Sequence, residues 1–292
     1  MPEFALRGVI PALLTPFDER GAVEWDLLRS QVERVCRAQV DALCVGGIAS
    51  ETAGSTPDEL YKLCQAVVSA SSRPVIGAIY PDSTVEALEL GRAALSAGAV
   101  ALLVAQPHYL FQPDPEGLEE LFEALRGAFT TPLLLSNSLR TALVDLAAMQ
   151  RLMSRGLVDG FHQAGGQAHL LADLLCLRLR LPVLSGVEDL LYIAFLLGAE
   201  GTVSSLAAVF PEECVELYAA CRAGEHEKAR AIHERLLRIW RVLDHPVEFV
   251  SRLKHAASVK GHPAGVPRSP YNWMPPESQA QVRRALHNEG KI

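Results

Sequence analysis

Eight times within its first 205 residues the chain runs from a short apolar stretch into a longer amphipathic one. The apolar stretches are GVIPALLTPF, DALCVGG, PVIGAIY, VALLVAQP, PLLLSN, VDGFHQ, PVLSG and EGTVSSLA. Segments such as WDLLRSQVERVCRA, TVEALELGRAALSAG and PEGLEELFEALRGAF lie between them. Strands separated by helices build right-handed βαβ units and hence a parallel sheet. Two architectures take such a pattern, an open doubly wound sheet and a closed barrel. The open sheet would normally show a GxGxxG turn after its first strand, and none is present. Eight repeats in about 205 residues therefore predict an α/β fold of the TIM (β/α)8 barrel type.

Local signals mark the helix ends. In STPDEL, Ser55 or Thr56 is the expected N-cap, with Pro57 in the first turn. Ser83 plays the same part in DSTVEAL, and Gly98 and Gly156 stand where helices should stop. Beyond Ser205 the pattern is helical without strands, through PEECVELYAACRAGEHEKARAIHERLLRIWRVL, PVEFVSRLKHAASV and PESQAQVRRALHNEG. The expected organisation is a barrel over 1–205 and a helical extension over 206–292, packed on it as one structural unit. The leucines and isoleucines of HEKARAIHERLLRIWRVL recur at helical spacing and predict a packing face.

A net charge of −7 leaves no basic face for nucleic acid. No apolar run reaches the roughly 18 residues that span a bilayer. The opening MPEFALRGVIPALLTPF lacks a basic n-region and is not expected to be a signal peptide. Six cysteines without a CxxC read as reduced thiols, and the expected location is the cytoplasm.

Barrel chemistry sits at the C-terminal ends of the strands. The polar residues found there are Thr15, then Ser50, Glu51 and Thr52, then Tyr80, then Gln106, His108 and Tyr109. They continue with Ser136, Asn137, Arg140 and Thr141, then His162 and Gln163, then Ser185, Glu188 and Asp189, and lastly Ser204 and Ser205. Glu188 and Asp189 also suit a helix N-terminus, where acids are favourable.

Nearly the whole chain resembles the dihydrodipicolinate synthase / N-acetylneuraminate lyase family of class I aldolases. The resemblance rests on GVIPALLTPFDERGAVEWDLLRSQVE, VGGIASETAGSTPDE, LVDGFHQAGG, LSGVEDLLYIAFLLGAEGTVSSLAAVFPE, PVEFVSRLKHAAS and the neighbourhood of SPYNWMPP. It implies an active-site lysine on the sixth strand that forms an imine with pyruvate. It also implies a tyrosine on the fifth strand, a threonine after the second strand, and a second tyrosine from a neighbouring subunit. By this resemblance His162 stands at the lysine position and Ser136 at the strand-5 tyrosine position. Ile48 and Ala49 replace the paired hydroxyls of the strand-2 loop, and Tyr109 matches the second tyrosine.

Imidazole cannot lose water to give a neutral imine, which needs a primary amine. The five lysines, Lys62, Lys228, Lys254, Lys260 and Lys291, all lie in helices or the tail and none follows a strand. The catalytic candidates are accordingly His162, Ser136 and Tyr109. The candidates for binding substrate are Gly47, Ser50, Glu51, Asn137, Arg140, His108, Gly186 and Val203. No cofactor is expected and no metal, although His108, Glu51 and His162 are residue types that suit a divalent ion. The leading expectation is a divergent lyase or hydrolase that binds a small oxo acid or sugar acid without an imine. A catalytically inactive binding protein is the alternative, and an intact pyruvate-dependent aldolase is disfavoured. The resemblance also implies a homo-oligomer, dimer or tetramer.

Overall fold

A computed structural model describes residues 5–52, 55–108, 111–165 and 168–291. Its eight strands are β1 (Gly8–Pro11), β2 (Leu43–Val45), β3 (Val75–Ile79), β4 (Ala101–Ala105), β5 (Leu133–Asn137), β6 (Gly160–Gln163), β7 (Val183–Ser185) and β8 (Gly201–Ser204). Each is buried along its whole length, as expected when side chains fill the barrel on one face and helices cover the other. Every paired neighbour is parallel, from β2 through to β8 and back to β1. An Ala12–Cys44 bridge and the Leu13 N–H donating to the Cys44 carbonyl at 2.9 Å join β1 to β2 and close the ring.

The helices around this ring are α1 (Trp25–Arg37), α2 (Pro57–Ala70), α3 (Thr84–Ser96), α4 (Pro115–Ala128), α5 (Leu146–Ser154), α6 (Ala168–Cys176), α7 (Leu191–Leu197) and the short α8 (Leu206–Val209). Thr56, not Ser55, caps α2, its hydroxyl accepting from the Glu59 N–H at 3.2 Å. Ser83 does the same for α3 through the Glu86 N–H. Gly98 and Gly156 follow the last turns of α3 and α5 at φ of 101° and 66°, a conformation that disfavours a Cβ.

Four further helices follow: α9 (Pro211–Arg222), α10 (His226–Leu243), α11 (Phe249–Val259) and α12 (Pro276–Asn288). The apolar stripe of α10 buries Ala229, Ile232, Leu236, Ile239 and Leu243. Its end reaches over the barrel mouth, where Trp240, Asp244, His245, Pro246 and Phe249 form one wall of a cavity. The strands of the barrel form the cavity floor.

Candidate functional site

Register places the central residues. Strands β5 and β6 pair Ser136 with His162 and Asn137 with Gln163. Successive strand residues point to opposite faces, so each pair shares a face. The second pair is used for construction. Asn137 donates to Gln163 Oε1 at 2.7 Å and to the Val144 carbonyl at 3.0 Å, while its Oδ1 accepts from the Val144 N–H at 2.9 Å. That pins the β5–α5 loop to the sheet.

The first pair begins a polar chain. His162 Nδ1 lies 3.2 Å from Ser136 Oγ, and Ser136 Oγ lies 3.0 Å from Ser138 Oγ. Ser138 Oγ is 3.1 Å from the hydroxyl of Tyr80, which follows β3. His162, Ser138 and Tyr80 line a cavity of about 410 Å³ at the C-terminal ends of the strands. That volume suits a small-molecule site.

The far nitrogen of His162, Nε2, is buried and has no hydrogen-bond partner among the described residues. It stands against Gly186, also in the cavity wall. A Cβ built on Gly186 would overlap both Nε2 and the Ala164 methyl. Gly186→Ala is therefore expected to displace the imidazole, remove ligand binding and cost about 1–3 kcal/mol by overpacking. Thermal denaturation with and without ligand reads both effects, and a variant as stable as wild type would show that the ring has room to move.

Burial sets the electrostatics. It holds His162 down at about 4, and the Val203 backbone only partly offsets the effect, so the ring is neutral at pH 7. Burial also raises the Tyr80 phenol above its ordinary value, against hydrogen bonds from Ser138 and Ser136. Cys44 lines the same cavity, but burial pushes its thiol to about 12, too high for a thiolate nucleophile at neutral pH. Glu188 is pushed up to about 7, again by burial. Its carboxylate does not cap the helix it precedes. It accepts from Ser204 Oγ at 2.7 Å and from the Ser205 and Leu206 N–H groups at 2.7 and 3.2 Å, bracing the start of α8.

The remaining candidates divide into two groups. Gly47, Arg140, Gly186 and Val203 line the cavity. Arg140 is exposed and reaches Asp244 at 3.3 Å across the mouth. Ser50, Glu51, Asn137 and His108 do not appear in the cavity wall. Ser50 Oγ donates to the Leu13 carbonyl at 2.6 Å, tying the β2 loop to the end of β1. Glu51 forms a buried ion pair with Lys254 at 2.5 Å and accepts from the Arg268 N–H at 2.8 Å. His108 lies beside Asp82, 3.6 Å from its carboxylate. Tyr109 lies outside the described residues. Among the described residues no three His, Cys, Asp or Glu side chains are arranged to hold a metal ion, so His108, Glu51 and His162 do not form one centre.

Tyr80, Ser138 and Glu188 carry much of the site's polarity, along with the wall from α10 and α11. Tyr80 and Glu188 were visible as polar residues after strands. Their pairings were not, because those contacts join residues distant in sequence.

No helix among the described residues is long and apolar enough to cross a membrane. The model of the Dihydrodipicolinate synthetase family matches residues 5–289. A 4-hydroxy-tetrahydrodipicolinate synthase of Methanothrix thermoacetophila is 31% identical over 287 residues, covering 96% of each chain. One from Methanopyrus kandleri is 31% identical over 299 residues, covering 99% of this chain and 98% of that one. The crystal structure of dihydrodipicolinate synthase from Aquifex aeolicus superposes with a TM-score of 0.89 at 27% identity, covering 98% of each chain. With this match over nearly its full length, the chain belongs to the dihydrodipicolinate synthetase family.

Proposed function

We propose that the protein binds a small oxo acid or sugar-acid-like ligand at the barrel mouth and handles it without a covalent imine. One observation carries this reading: among the described residues, the cavity wall holds His162, Tyr80 and Arg140 but no lysine. All five ammonium groups are occupied elsewhere. Lys62 pairs with Asp58, Lys228 with Glu216, Lys254 with Glu51 and Lys291 with Glu213. Lys260 donates to the Val209 carbonyl and covers the Phe210 ring.

In this reading Arg140 meets the ligand carboxylate, which competes with Asp244 for the guanidinium. The neutral ring of His162 stands in the cavity wall beside the ligand, and Ser136 holds that ring in place. The relatives named as synthases support a small carbonyl acid as the ligand class. We also read the protein as a cytoplasmic homo-oligomer, its helical extension folded with the barrel as one unit. A second reading, binding without turnover, is supported by the same burial that makes His162 a weak base.

The test has two parts. Borohydride added with pyruvate should leave the intact mass unchanged, and a reduced adduct on any residue would sink the proposal. A thermal-shift panel of pyruvate, longer 2-oxo acids and sugar acids should give a rise with one class. A ligand at a hundred times its dissociation constant adds about 2.7 kcal/mol. His162→Ala then separates the two readings, because a catalyst loses turnover and a binding protein loses at most affinity.

A further inference from the structure

We propose that the cavity takes its ligand with the charged end outward: an aryl-substituted carbonyl acid whose carboxylate is held at the mouth by Arg140 and His245, and whose apolar tail fills the barrel floor. This rests on the reading above that a carbonyl acid binds at the mouth, and it names the kind of acid.

Donors for a carboxylate stand at the mouth. Arg140 lines the cavity from the β5–α5 loop and meets Asp244, just past α10, at 3.3 Å. His245 is the next residue and also lines the cavity. Its Nδ1 accepts from the Val247 and Glu248 N–H groups at 3.3 and 3.0 Å. A ring nitrogen that accepts carries no hydrogen, so the hydrogen of this imidazole sits on Nε2. The fold of the α10–α11 turn therefore fixes His245 as a donor beside the Arg140 guanidinium, and a carboxylate accepts from both.

The floor suits an apolar group. Leu103 and Val203 reach it from β4 and β8, Ala12 from the residue after β1, and Ala49 and Ala164 from loops. His162 withholds both nitrogens from the cavity: Nδ1 lies against Ser136, and Nε2 is buried against Gly186. The Tyr80 and Ser138 hydroxyls are paired with each other at 3.1 Å. Apart from Arg140 and Asp244, the Glu188 carboxyl is the acidic or basic side chain among the described lining residues that bears on an anion, and its sign repels one. A carboxylate sent to the floor would lose its water with no cation to receive it.

The wall and the volume point the same way. Trp240 and Phe249 pack edge to face with centroids 5.9 Å apart, and Ile48, nearly half exposed, lines the cavity with them. Aromatic edges and faces of this kind receive another ring. At about 30 Å³ for each water-sized group, 410 Å³ holds roughly thirteen of them. A three-carbon acid leaves more than half of that space empty, whereas phenylpyruvate fills most of it.

The experiment is isothermal titration calorimetry of the purified full chain with pyruvate, 2-oxoglutarate, gluconate and phenylpyruvate. Phenylpyruvate should bind at least about tenfold more tightly than pyruvate, for the apolar area its ring removes from water. The charged tail of 2-oxoglutarate and the hydroxyls of gluconate should gain nothing over pyruvate. Ile48→Ser, at an exposed position that the fold does not need, should lower the affinity for phenylpyruvate about threefold and leave that for pyruvate unchanged. His245→Asp keeps an acceptor for the two amides but removes the donor, and should weaken phenylpyruvate on the order of tenfold. Pyruvate, 2-oxoglutarate or gluconate binding as tightly as phenylpyruvate overturns the inference and leaves the carbonyl-acid reading standing. So does undiminished binding of phenylpyruvate by Ile48→Ser, or by a His245→Asp protein as stable as wild type. No binding of any of the four acids overturns both.

Discussion

Lys254→Met is expected to destabilise the protein by about 3–5 kcal/mol, the usual cost of leaving one partner of a buried ion pair alone. Lys254 is fully buried and the Glu51 side chain is 2% exposed. The ammonium also donates to the Val266 carbonyl at 2.6 Å and lies 4.8 Å from the centre of the Phe17 ring. Burial pulls the Lys254 pKa down, and the neighbouring Glu51 opposes that pull. Glu51 occupies a left-handed position (φ 56°) just after the Ile48–Ser50 turn, whose Ile48 and Ala49 line the cavity. The pair therefore ties α11 to the loop that shapes the site. Lys254→Met combined with Glu51→Gln should recover part of the loss, since replacing both charges removes the orphaned carboxylate. Guanidinium denaturation checks this, and a single-variant loss below about 1 kcal/mol would show that water reaches the pair.

The second large effect is a pair of opposite pH dependences that cancel in the wild type. Glu188 is raised from an ordinary 4.5 to about 7. Between those values the folded protein keeps a proton the unfolded chain has released, so stability falls as pH rises. His162 is lowered from 6.5 to about 4. Between those values the unfolded chain binds a proton the folded protein refuses, so stability falls as pH drops. Each shift is worth about 3 kcal/mol across its window. Relative to wild type, His162→Asn should gain stability as pH falls from 6.5 towards 4. Glu188→Gln should gain relative to wild type as pH rises from 4.5 towards 7. His233, His255 and His262 are also lowered by burial, but they are common to all three proteins and drop out of the differences. Denaturation midpoints at several pH values between 4 and 8 decide it. Curves for the variants that run parallel to wild type would mean that neither group is as buried as the contacts imply.

Much of the barrel was legible in the chain because its causes are local. A strand buried on both faces must be short and apolar, and a helix beside it must carry one apolar stripe. The caps at Thr56 and Ser83 and the stops at Gly98 and Gly156 follow from residue chemistry within a few positions. The choice between Ser55 and Thr56 was not local enough to settle, and a single hydroxyl–amide contact resolved it. The positions after each strand were legible too, which is why Arg140, His162, Gly186 and Val203 all reach one cavity.

What side chains do at those positions depended on distant partners. Glu51 and Asn137 are polar residues at strand ends, yet their hydrogen-bonding capacity is taken up by Lys254, Arg268, Val144 and Gln163. Glu188 sits at the start of one helix and braces another. Tyr80 and Ser138 are 58 residues apart and meet only because β3 and β5 end on the same rim of the ring. The sequence by itself determined the alternation of strands and helices and the ring they close into. Periodicity and residue chemistry act over a few positions, and those features need nothing more. Only the tertiary structure decided which polar groups face the cavity, which are consumed in holding it together, and how far burial moves each pKa. Those outcomes depend on distances between residues far apart in the chain, and chain closure alone sets them.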